Sequence, residues 1–187
     1  MRITGGTARG IQLDVPRGDA LRPATDRMRE AVFSRLADRV EGASFLDLFA
    51  GSGSYGLEAI SRGAGSGTFV EKHSGSLRFL KQNLQKVLKS CGAPATAFKA
   101  QTGDALTYAV GTPVDLIFAD PPYAIAASIL PDLLKQLDRS LSPEGQVILE
   151  LPSELEIRDE RWDCVREWGK KGRGNPSVRL LVKTHHA

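Results

Sequence analysis

From Ser44 to Leu151 two patterns of apolar residues alternate along the chain. Short, dense runs read as strands: Phe45-Leu46-Asp47-Leu48-Phe49, Thr68-Phe69-Val70-Glu71, the weaker Thr96-Ala97-Phe98-Lys99, Val114 to Ala119, and Gln146 to Leu151. Between them apolar residues recur three or four apart, as on one face of a helix. Residues 57–62 make a short helix ended by Gly63. Leu77, Leu80, Leu84, Val87 and Leu88 mark one across 75–90. Ile129, Leu133, Leu134, Leu137 and Leu141 mark a third, stopped by Pro143 and Gly145. Strand–turn–helix alternation implies a mostly parallel sheet covered on both faces. Two last strand runs, Trp162 to Trp168 and Val178 to Lys183, have only a Gly/Lys/Arg loop between them. They should therefore pair antiparallel.

The first 40 residues follow another pattern. Ile3-Thr4 and Ile11 to Val15 flank Gly5-Gly6 and Gly10 and read as a short hairpin. A loop at Pro16-Arg17-Gly18-Asp19 follows, and then a helix after Pro23 that Thr25 or Asp26 can cap. Met28, Val32, Leu36 and Val40 form its apolar stripe; Arg27, Arg29, Arg35 and Arg39 fall largely off it. Residues 1–40 are expected to be an appendage to a main domain of residues 41–187, within one structural domain.

Composition narrows the class. The 187 residues are 41% hydrophobic and 25% charged, an ordinary globular balance with enough chain to bury a core. No run of about 18 apolar residues suggests a membrane span. The N-terminus lacks an apolar signal-peptide core, so export by that route is not expected and a cytoplasmic location is. Cys91 and Cys164 form no ligand pair, the histidines (His73, His185, His186) no metal set, so reduced thiols and no metal are expected. The net charge of +3 is unevenly spread. Residues 1–40 hold eight Arg against five acids, 72–103 six bases and no acid, and 161–187 seven bases against two acids. Such blocks on one face would bind a polyanion, with residues 1–40 the leading candidate and 72–103 and 166–183 as extensions.

Two motifs carry chemistry. Gly51-Ser52-Gly53-Ser54-Tyr55-Gly56 follows a strand and opens a helix. Glycines let the backbone approach a ligand, and the helix start adds free N–H donors. Glu71 closes the next strand, where a carboxylate accepts from a ribose diol. This pair points to a nucleoside cofactor and leaves NAD and S-adenosylmethionine (SAM) both open. Asp120-Pro121-Pro122-Tyr123 decides between them. It follows the strong strand 114–119, at the edge where open α/β sheets bind ligands. An exocyclic base amine is a weak nucleophile that gains from two acceptors holding its protons. Asp120 and the Pro121 carbonyl can be those acceptors, Pro121 and Pro122 stiffen the loop, and Tyr123 offers a face for an extruded base. Asp47, a carboxylate within an apolar strand, is expected to bond the glycine loop or, through it, the amino end of SAM. Asp104 is read either as a partner of the adenine amino group or as a helix N-cap before Ala105-Leu106.

The chain resembles the RsmD family, bacterial small-subunit ribosomal RNA guanine-N2 methyltransferases. The resemblance lies in Leu21-Arg22-Pro23-Ala24-Thr25-Asp26-Arg27-Met28-Arg29-Glu30, in Leu46-Asp47-Leu48-Phe49-Ala50-Gly51-Ser52-Gly53 running on to Ala64, and in Phe118-Ala119-Asp120-Pro121-Pro122-Tyr123. It implies a Rossmann-like class I SAM-dependent methyltransferase with an N-terminal β-hairpin, and a methyl acceptor at guanine N2 in small-subunit RNA or an assembling 30S particle. It implies base handling by Asp120 to Tyr123, and cofactor contacts at Asp47, Phe49, Gly51, Gly53, Gly56, Glu71, Asp104 and Ala105. Arg22 to Thr25 would close over cofactor and base. Arg9, Arg22 and Arg27 are the expected RNA contacts, and a monomer is expected. The chain departs from the family at Ala24, where Thr is usual, and in 169–177, where no RNA contact carries over. The alternatives are a DNA adenine-N6 methyltransferase, an NAD-dependent oxidoreductase and a non-catalytic RNA-binding assembly factor.

Overall fold

A computed structural model of the chain describes residues 1–16 and 25–184, with the side chain of Thr25 left out. Seven strands form one sheet in the order β3-β2-β1-β4-β5-β7-β6. They are β1 (Ser44–Leu48), β2 (Ser66–Glu71), β3 (Phe98–Thr102), β4 (Val114–Ala119), β5 (Leu141–Pro152), β6 (Trp162–Gly169) and β7 (Pro176–Lys183). The first five are parallel; β7 is antiparallel to both β5 and β6. The expected mostly parallel sheet with a closing antiparallel pair is present. The helices are α1 (Thr25–Leu36), α2 (Ser54–Ser61), α3 (Ser74–Cys91) and α4 (Tyr123–Ser140).

Alternation along the strands sorts the side chains to two faces. Phe45, Phe69, Leu116 and Phe118 join one core with Val32, Phe33, Leu36, Leu57, Leu80 and Leu84 from α1, α2 and α3. Leu46, Leu48, Ile117, Val147 and Leu149 join a second with Leu130, Leu133, Leu134 and Leu137 from α4. Ile3, Ala8 and Leu13 belong to the first core as well, so the segment expected to be an appendage is packed into the sheet's own interior.

Several boundaries differ from the expected ones. The third strand begins at Phe98 because Ala95–Ala97 make a 3-10 turn after Pro94. The last helix starts at Tyr123, six residues before its first marked apolar position, with Pro122 as its N-cap. Its opening turn carries exposed Ala124 and Ile125, so no buried stripe announces it. It ends at Ser140 and the chain enters β5 at once, where the pairing of β4 jumps from Val114↔Leu141 to Leu116↔Gln146. The N-terminal hairpin pairs through one bridge, Arg2↔Gln12, with Ile3 and Ile11 bonded beside it.

Arg29 corrects the reading of α1. The apolar periodicity leaves it off the buried stripe, yet it is 1% exposed. Its guanidinium donates to Glu58 at 3.2 Å and to Asp26 at 2.9 Å, and also reaches the carbonyl of Arg2. Glu58, fully buried in α2, accepts further from Thr4 N–H (2.8 Å), the Thr4 hydroxyl (2.7 Å), Gly5 N–H (2.8 Å) and Arg62 (2.9 Å). A buried carboxylate is tolerated when it is this fully bonded. The cluster fastens hairpin and α1 onto α2. It also explains Gly6: its φ is +74°, and an added Cβ would meet the Ser61 carbonyl at 1.9 Å.

Candidate functional site

β1 has β2 on one side and β4 on the other, and the chain order reverses between β1 and β4. Loops leaving the C-terminal ends of these two strands diverge and open a crevice. Leu48 pairs with Ala119, so the glycine-rich loop and Asp120-Pro121-Pro122-Tyr123 start side by side. Both motifs therefore meet at the one place where this sheet topology offers a ligand site.

The three motif glycines do different work. Gly51 has φ +54°, and a Cβ there would find nothing nearer than the Phe49 carbonyl at 4.0 Å, so its backbone faces open space. At Gly53, the left-handed N-cap of α2, a Cβ would strike Leu80 at 2.4 Å. At Gly56 it would strike the Phe69 ring at 2.3 Å, which makes Gly56 the close helix-on-sheet contact. Phe49, half-buried, holds φ +57°, rare for an aromatic residue. Such strain is kept where the surroundings enforce it, often at a ligand site.

Carboxylates shape the loop. Glu71, at the end of β2, accepts from Gly51 N–H and His73 N–H, both at 2.7 Å. Asp47 projects to the α2 side and accepts from Gly56 N–H at 2.9 Å. Burial pushes its pKa well up, only partly offset by that hydrogen bond, and the charges of Asp120 and Glu71 push the same way. Asp47 thus bonds the backbone at the end of the glycine motif. Asp104 lies beyond β3, accepts from Leu106 N–H at 2.9 Å and sits beside Lys72 at 3.2 Å. Those two hydrogen bonds lower its pKa. It caps a turn at 105–107, not the start of a helix, while Ala105 is buried beneath.

On the other side of the crevice Asp120 is exposed, Pro121 buried and Pro122 exposed. Tyr123 is half-buried, and its hydroxyl donates to Glu150 of β5 at 3.1 Å. Tyr55, from the glycine motif, stacks on Phe118 at 5.6 Å and brings its hydroxyl to the same carboxylate at 3.4 Å. Burial first, then the charge of Glu150, keeps the Tyr55 phenol protonated far above its ordinary range. Two residues of the site lie outside the sequence motifs, Glu150 and Asn83. Glu150 carries the same sign as Asp47, a charge inside an apolar strand run. Asn83, fully buried, accepts from Asp14 N–H (2.8 Å) and donates to the Asp14 carbonyl (2.9 Å) and the Ser52 carbonyl (3.1 Å). It ties the hairpin's exit to the glycine loop.

Of the three expected RNA contacts, the structure describes Arg9 and Arg27. Arg9 is exposed on a hairpin that docks on Ser61 at the C-terminal end of α2, at the edge opposite Asp120. Arg27 is exposed in the first turn of α1. Arg22 lies outside the described residues, as do Pro23 and Ala24. Among the described residues no cluster of His, Cys, Asp and Glu could hold a metal ion, and no helix is long and apolar enough to cross a membrane. Cys91 and Cys164 are free thiols.

Comparison with known proteins agrees with this geometry. A family model described as "Conserved hypothetical protein 95" matches residues 1–182. Ribosomal RNA small subunit methyltransferase D of Escherichia coli is 35% identical over 160 residues, 83% of this chain and 76% of its own. The protein of the same name from Haemophilus influenzae is 34% identical over 182 residues, 96% of this chain and 92% of its own. The solved structure of yhhF from Escherichia coli superposes with a TM-score of 0.81 at 34% identity, covering 100% of this chain and 99% of that one. The fold, the paired motifs and these matches place the chain in the RsmD methyltransferase family.

Proposed function

We propose that the protein transfers a methyl group from SAM to the exocyclic N2 amine of a guanine in small-subunit ribosomal RNA. The observation that carries this reading is the pairing of Leu48 with Ala119, which sets a nucleoside-type cradle beside an amine-holding loop. The names of the relatives supply the class of acceptor.

SAM, when bound, supplies an electrophilic methyl group. The chain's own residues fit such a ligand. The open backbone at Gly51 receives it, with Phe49 and Ala105 as apolar neighbours and Asp47 fixing the loop through Gly56. Glu71 holds the loop with one lone pair on each oxygen and keeps others for a ribose diol. Asp104 can take an adenine amino group, and Thr25 belongs to the segment that would close over both ligands. On the acceptor side the Asp120 carboxylate and Pro121 carbonyl accept from the two N2 protons, aim the lone pair and stabilise the positive charge that develops. Pro121 and Pro122 hold the loop, and the Tyr123 ring stacks on the base. The surplus proton then leaves from the methylated amine to Asp120 or water. In this reading Arg9, Arg22 and Arg27 contact the RNA.

The test is incubation of the protein with labelled SAM and unmethylated small-subunit RNA, alone and as 30S-like particles. The modified nucleoside is then identified by mass spectrometry. N2-methylguanosine is expected; labelled N6-methyladenosine would overturn the guanine assignment.

A further inference from the structure

The loop between β6 and β7 carries Lys170, Lys171 and Arg173 within four residues, all exposed. Its place follows from the register. β5 continues three residues past Leu149, the partner of Ala119, and its last residue Pro152 pairs with Pro176 of β7. At about 3.3 Å per residue and about 4.8 Å per strand, the root of the loop stands about 10 Å above the Ala119 level and about 10 Å across. It rises from the same sheet edge as Asp120, on the acceptor side of the crevice. Arg9 is at the other edge, and Lys72, which shares this edge, is paired with Asp104.

The loop is fixed in place. Gly172 N–H donates to the Ser153 hydroxyl oxygen (3.2 Å), which donates in turn to the Gly172 carbonyl (2.8 Å). Gly174 N–H donates to both oxygens of Glu154, at 3.1 and 3.0 Å, and Asn175 N–H to Gly172 O at 3.0 Å. Gly172 and Gly174, at φ +136° and +75°, take backbone angles that other residues rarely adopt. The nearby carboxylates hydrogen-bond other groups, Glu154 to Gly174 and Glu167 to Ser177 and Arg179, while their charges also act on Arg173 and Lys171. Among the described residues Lys170, Lys171 and Arg173 form no ion pair within 4.0 Å.

We propose that this anchored β6–β7 tip is a phosphate-binding finger that grips the backbone of the RNA strand whose target base lies at Asp120. The proposal rests on RNA being the acceptor. Three exposed cations on a fixed scaffold supply sequence-independent affinity and register, while the crevice reads the base. The loop lies outside both the glycine motif and Asp120-Pro121-Pro122-Tyr123, so the grip would be separate from the catalytic motifs.

The experiment compares wild type with Lys170→Gln/Lys171→Gln/Arg173→Gln for binding of unmethylated small-subunit RNA between 50 and 200 mM salt. SAM affinity and methyl transfer are measured alongside. The triple variant should bind RNA about tenfold or more weaker at 50 mM salt. The slope of log K against log salt should shrink by about two, from about 0.7–0.9 per phosphate contact. SAM affinity should stay unchanged, and KM for RNA should rise with kcat held. Lys170→Arg/Lys171→Arg should restore wild-type binding. An unchanged slope and KM in an enzyme that methylates RNA would overturn the finger and leave the acceptor reading standing. A wild type that neither binds nor methylates RNA would defeat both.

Discussion

The hydroxyl of Tyr123 donates to Glu150 at 3.1 Å, and the hydroxyl of Tyr55 reaches the other oxygen of that carboxylate at 3.4 Å. One buried side chain on β5 thereby links the residue proposed to stack the base with a residue of the glycine motif. Tyr123→Phe keeps the ring and loses the tether. A hydrogen bond to a charged group contributes about 1.5–3 kcal/mol, so the variant should retain SAM binding and lose about tenfold or more in kcat/KM. Glu150→Gln keeps an acceptor oxygen and should lose less. Additive losses in the double variant, read in a double-mutant cycle, would show that the two residues do not act together.

Asp120 is exposed at the crevice while the anchoring carboxylates Asp47 and Glu71 are buried. Its proposed work is at the reacting amine. Asp120→Ala should leave SAM affinity and thermal stability near wild type. It should raise the barrier by about 2–4 kcal/mol, in the range for loss of one positioned charge-stabilising partner. Single-turnover rates at saturating RNA and SAM measure it; a near-wild-type rate would remove Asp120 from the chemistry.

Some of this architecture is readable from residue order and some is not. Phe45 to Phe49 and Val114 to Ala119 lie in the middle of the sheet, so dense apolar runs mark them, and the motifs they launch lie where the expected topology puts them. The start of α4 is not visible, because Tyr123, Ala124 and Ile125 leave their first turn partly in solvent. Arg29 escapes a reading that equates charge with exposure. Its partner Glu58 lies 29 residues away in a helix buried on nearly every side, and no local pattern joins the two. The site motifs, by contrast, are contiguous, each needing only a strand end before it.

That hidden pair gives the largest expected stability effect. Glu58 accepts five hydrogen bonds from hairpin, α1 and α2. Glu58→Ala leaves the Arg29 charge buried without it, which costs about 3–5 kcal/mol when one partner of a buried pair is removed. Chemical denaturation should show a midpoint shift of that size. Glu58→Gln, which keeps an acceptor oxygen for the Thr4 and Gly5 donors, should lose less. A single-variant loss below about 1 kcal/mol would mean that the cluster contributes little to stability.

Asp47 sets a pH dependence whose sign is opposite to that of a paired carboxylate. Burial raises its folded pKa well above the unfolded value of about 3.9. The folded protein therefore holds a proton that the unfolded chain releases. This contribution to stability is complete below about pH 4 and is lost as pH rises through the folded pKa. Asp47→Asn keeps an oxygen for Gly56 N–H and cannot ionise. Relative to wild type, the variant should gain stability steadily as pH rises from about 4 toward the folded pKa of Asp47, by about 1.4 kcal/mol for each step of one in pH. Urea unfolding of both proteins across that range measures the difference. A constant gap between the two curves would show that Asp47 titrates alike in folded and unfolded chains, and that Gly56 and the surrounding core do not hold it in its protonated form.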